Sequence, residues 1–122
     1  MANKREALTN QGGWKWTLNT SAVVECGNAH HAVVSKWRLH VKTGGALPGS
    51  FIPKIRATGS GLTGSDLISP VYYKDSDTAT ITGGTAVTTN DVYEIVTDGC
   101  DLYLDYTSGA DGMIVYCKPV IG

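Results

Sequence analysis

Between residues 101 and 107 apolar and polar side chains alternate one by one. Leu102, Leu104 and Tyr106 fall on one side of an extended chain and Tyr103, Asp105 and Thr107 on the other. A period of two fits a strand with one buried side and excludes an amphipathic helix. The same rhythm runs through residues 32–42, with Val33, Ser35, Trp37, Leu39 and Val41 expected inward and Val34, Lys36, Arg38, His40 and Lys42 outward. It returns at Trp14, Trp16 and Leu18, which place two indoles on one face. Residues 113–117 alternate as well, but Ile114 and Tyr116 make the second side nearly as apolar as Met113, Val115 and Cys117. That strand is expected to be covered on both sides, by a second sheet or a neighbouring subunit.

Turn signals separate these segments: Gly44-Gly45, Pro48-Gly49, Gly83-Gly84 and Asp98-Gly99. Pro53 cannot donate to a ladder, so the strand over residues 51–57 is expected at an edge or at a bulge. Shorter strands are expected near residues 67–73 and 78–82. No long segment keeps a helical apolar period, and fifteen glycines with 17% charged residues favour strands and tight turns. The fold expected is all-β: a single antiparallel β-sandwich, jelly-roll-like, over residues 14–122. Residues 1–13 carry Lys4, Arg5 and Glu6, have little apolar surface beyond Ala7 and Leu8, and end in Gly12-Gly13. They are expected to form a flexible arm.

The formal charge of −1 gives no global attraction to nucleic acid or anionic lipid. No run is long enough for a membrane helix, and the first residues lack the apolar core of a signal peptide. A cytoplasmic site of synthesis is expected, with Cys26, Cys100 and Cys117 reduced and unliganded. Cys26, His30 and His31 are zinc-type ligands, but C-x3-H-H lacks the second ligand pair of a tetrahedral site. Asp75 with Asp77, and Asp98 with Asp101 and Asp105, are too sparse for a calcium loop and fit solvated turns. Gly59, Gly61 and Gly64 have dinucleotide-loop spacing, yet Pro70 follows where that loop requires a helix. With no nucleophile elbow and no H-E-x-x-H, the chain is expected not to be an enzyme and to use no cofactor.

Two features point to binding instead. Lys36, Arg38, His40 and Lys42 make a basic stripe that suits phosphates or an acidic protein surface, although alternating charges also mark an ordinary solvated face. Tyr72, Tyr73, Tyr103 and Tyr116 could stack on sugar rings, or pack in the core or at a subunit interface.

From residue 51 onward, the order Pro70-Val-Tyr-Tyr, Thr80-Ile-Thr82, Asp91-Val-Tyr-Glu-Ile, Asp101-Leu-Tyr-Leu and Gly112-Met-Ile-Val-Tyr-Cys-Lys-Pro119 resembles the small jelly-roll modules of tailed-phage virions. These serve as capsid decoration, head-fibre or tail-associated proteins. The resemblance implies a structural virion protein assembled in the host cytoplasm, most simply an oligomeric decoration protein that docks on the major capsid protein. A homotrimer is expected, with Met113, Ile114, Val115 and Tyr116 at the subunit interface. Lys4, Arg5, Leu8, Lys36, Arg38 and Lys42 are the expected partner contacts, the arm ordering as it docks. The alternative is a carbohydrate-binding or host-adhesion sandwich.

Overall fold

The computed structural model describes residues 2–8, 12–27, 34–56, 67–75 and 77–121. Among these residues ten strands follow in order: β1 Lys4–Ala7, β2 Trp14–Leu18, β3 Ala22–Glu25, β4 Val34–Thr43, β5 Ser50–Arg56, β6 Tyr72–Lys74, β7 Asp77–Ile81, β8 Asp91–Val96, β9 Asp101–Thr107 and β10 Met113–Ile121. Among the described residues there is no helix. The strands form two antiparallel sheets, a seven-stranded one in the order β1-β2-β10-β4-β8-β6-β7 and a three-stranded one in the order β3-β9-β5.

The winding explains how so few residues cover one another. From β2 to β5, and again from β8 to β10, each strand lies in the sheet opposite its predecessor, which is the winding of a jelly roll. Inward residues of the two sheets meet in one core whose largest members are Trp37, Tyr72, Tyr106 and Phe51. Trp14 and Trp37 pack with ring centroids 5.9 Å apart. Cys26 and Cys117 are buried in the same core as free thiols, and Cys100 is half-buried. The step from β8 to β9 turns on Asp98 and Gly99, whose φ values of 47° and 88° suit an Asp-Gly pair.

Pro53 lies on β5, an edge of the smaller sheet. The amides of Phe51 and Ile55 point away from β9 and donate to the carbonyls of Val87 (3.2 Å) and Ile68 (2.8 Å). Pro53 occupies the position between them, so its missing N–H removes nothing from the β5–β9 ladder.

Three expectations are corrected. First, residues 1–13 are not simply an arm. Lys4–Ala7 pairs with β2 from Lys4↔Thr17 to Ala7↔Trp14, and Asn3 accepts the amides of Asn19 (2.8 Å) and Thr20 (2.9 Å). An edge strand needs ladder hydrogen bonds and not an apolar face, so its charged sequence was no obstacle. Second, Val34 points inward. Val120 pairs with Lys36 and Ile121 with Val34, which leaves Ser35 as the extra residue of a bulge. Its hydroxyl donates to the Val120 carbonyl at 3.1 Å, and its carbonyl accepts the amides of Thr97 and Asp98 at 3.1 Å each. Third, Met113 and Val115 are fully buried core residues and cannot form a subunit interface. Because β10 runs between β2 and β4, its inner face is covered by the smaller sheet.

Candidate functional site

Among the described residues no second layer covers the outer face of the seven-stranded sheet, so cross-strand pairing decides what it presents. One row runs Glu6, Lys15, Tyr116, His40, Val92 across β1, β2, β10, β4 and β8. Beside it runs Lys118, Arg38, Glu94, Tyr73, Thr80, and on the other side Lys4, Thr17, Ile114, Lys42. Directly opposed side chains stand about 5 Å apart and so act as neighbours. Lys4, Lys15, Lys36, Arg38, Lys42 and Lys118 thus share one face with Glu6 and Glu94, although the whole chain carries a formal charge of −1.

These charges are not equivalent. Arg38 bonds Asp75 at 2.6 Å and reaches Glu94 at 3.4 Å, and Lys36 also pairs with Glu94. The Lys15 ammonium sits 5.9 Å from the Tyr116 ring centre. His40 lies against the other side of that tyrosine, with ring centroids 6.1 Å apart. Lys42 and Lys118 are exposed and have no ion pair among the described residues.

A groove of about 480 Å³ opens here, lined by Leu8, Gly12, Arg38, His40, Lys42, Val92, Tyr116, Cys117 and Lys118. Leu8 and Gly12 wall it beside β10, with the Leu8 amide donating to the Gly13 carbonyl at 3.0 Å. Gly13 has φ 91°, and a Cβ there would run into the Cys117 carbonyl. Only glycine therefore lets position 13 lie so close to β10. Chemically, the groove suits negative charge held above an aromatic and aliphatic floor.

The outer face of the smaller sheet differs. Lys54 pairs with Asp105 at 3.3 Å and Arg56 with Asp101 at 3.9 Å, while the Arg56 guanidinium covers Tyr103 at 4.9 Å. Its cations are matched by carboxylates on adjacent strands.

Of the partner contacts expected from sequence, Leu8, Arg38 and Lys42 meet in the groove. Lys4 stands two strands away from Lys42's neighbour Ile114, and Lys36 is tied to Glu94. Arg5 is a correction: it lies on the opposite side of β1, 5.7 Å from the Trp16 ring centre, and donates to the Glu25 carbonyl at 3.3 Å. It closes the end of the sandwich. Ile114 and Tyr116 face outward, so only they remain of the expected interface set. Sequence reasoning did not bring in Lys118, which the pairing of β10 with β4 carries to the groove, or Lys15, which the pairing of β2 with β10 sets beside Tyr116.

Among the tyrosines, Tyr72 is buried and donates to the Thr85 carbonyl at 2.7 Å, with burial pushing its pKa up to about 12. It cannot stack on a sugar. Tyr73 and Tyr116 stay on the outer face. No group of three or more metal-ligating side chains occurs among the described residues. His30, His31 and the glycines at 59, 61 and 64 lie outside those residues.

No family model, curated protein or solved structure matches the chain.

Proposed function

We propose that this chain is a docking protein and not an enzyme, a structural component of a tailed-phage virion that attaches through the outer face of its larger sheet to an acidic surface of the major capsid protein or another virion protein. The observation that carries docking is the separation of charge: cations gather on one sheet face around a groove, while those of the other face are neutralised by their neighbours. Charge arranged in this way orients an incoming acidic surface and speeds its encounter. The virion setting rests on the resemblance of strand order and turns.

A homotrimer remains part of the proposal. Val96 and Ile121, exposed at 44% and 63%, take the place of Met113, Val115 and Tyr116 as its contacts, which leaves Tyr116 to the groove. The glycan-binding alternative retains Tyr73 and Tyr116 as outward rings.

The test is co-sedimentation with phage particles stripped of this protein. The native chain should pellet with them, and a Lys42→Glu/Lys118→Glu variant of unchanged melting temperature should stay in solution. Equal attachment of the two would sink docking through this face. Absence of attachment together with saturable oligosaccharide binding at Tyr73 or Tyr116 would favour the alternative.

A further inference from the structure

The groove also has a direction, and this specifies its occupant more closely than net charge does. We infer that it receives an extended acidic segment of a partner protein, with two carboxylates four residues apart and an apolar or aromatic residue midway between them. This rests on reading the face as a docking surface.

Of the cations lining the groove, Lys42 on β4 and Lys118 on β10 have no ion pair among the described residues. Lys118 pairs with Arg38, so the two lysines are separated by the four positions from residue 38 to 42, roughly 13 Å along the strand direction. The row of Tyr116, His40 and Val92 crosses the sheet halfway between them. An extended segment advances about 3.3 Å per residue and turns every second side chain to the same side. Its residues i and i+4 therefore reach the two ammonium groups while i+2 lands on the Tyr116–Val92 floor. Leu8 supplies a further apolar wall.

A helix fits less closely. Its nearest same-face pair, i and i+7, stands about 10.5 Å apart, short of the roughly 13 Å between the lysines, and the next, i+11, overshoots at about 16.5 Å. Arg38 does not compete for the ligand, because Asp75 and Glu94 already hold it. Those same carboxylates repel an acidic chain beyond the Arg38 row and so limit the site on that flank.

The probe is a set of synthetic seven-residue peptides with glutamates two, four or six positions apart and a central phenylalanine, plus a glutamine version of the second. Binding to the full chain is followed by amide chemical shifts and by calorimetry. The four-apart peptide should bind tightest, with shifts centred on His40, Lys42, Val92, Tyr116 and Lys118. Its affinity should fall roughly tenfold in Lys42→Gln/Lys118→Gln and in the glutamine peptide. No binding, no preference for spacing, or unchanged affinity in the double variant would overturn the inference. The same variant is assayed for particle attachment. If attachment weakens while no peptide binds, the docking face stands and only the extended acidic occupant falls. If attachment is unchanged, the docking reading itself falls.

Discussion

Arg5 shows how one side chain can be misassigned by its charge. Its guanidinium covers Trp16 and shares the Glu25 carbonyl with the Trp16 indole N–H, which donates at 3.0 Å. β1, β2 and the end of β3 meet at that single oxygen. Arg5→Ala is expected to lower unfolding free energy by about 1–2 kcal/mol in urea titration, from one lost charge-assisted hydrogen bond and one cation–π contact, while leaving particle attachment unchanged. Tyr72 gives a second prediction. Burial raises its pKa to about 12, and burial also raises Tyr103 and Tyr106. The folded protein thus keeps protons that an unfolded tyrosine releases near pH 10. This contribution is fully present below about pH 10 and is lost as pH rises toward the folded value, so the melting temperature should fall between about pH 10 and 12. Phenolate absorbance of Tyr72 should appear together with unfolding. Tyr72→Phe should flatten part of that fall.

Among the elements, β1 changes what a truncation is expected to do. A chain beginning at Gly13 loses the β1–β2 ladder, the Asn3 contacts, Arg5 and the Leu8 wall of the groove. It should melt several degrees lower than the full chain, since each 1 kcal/mol shifts a domain of this size by roughly 4 °C. An equal melting temperature would return residues 1–12 to the status of an arm. β2, β4, β9 and β10 were legible because each buries one side, and alternation is the trace that one-sided burial leaves in a sequence. β1 leaves no such trace, since an edge strand of Lys-Arg-Glu-Ala is held by its neighbour's backbone. The bulge at Ser35 was hidden because a lone serine at an inward position breaks no pattern. The groove was half legible: the stripe on β4 follows from local alternation, whereas Lys15, Tyr116 and Lys118 join that face through pairings of residues roughly 75 to 100 positions apart.

At the scale of the molecule, two sheets share one core, so stability concentrates in its largest members. Trp37, fully buried against Trp14, should cost roughly 3–5 kcal/mol when replaced by Ala, read from denaturant unfolding. A loss below about 1 kcal/mol would contradict its central position. The place of β10 in the larger sheet also sets the timetable of folding. It is the last of the ten strands to leave the ribosome, yet it sits between β2 and β4, which have no ladder to each other without it. While the chain is being made, both of those strands wait with an unpaired edge, and sheet-to-sheet closure must await residues 113–121. Closure is therefore late and concerted, and a ribosome stalled before residue 113 should hold a protease-sensitive chain that gains resistance only once residues 113–121 have emerged.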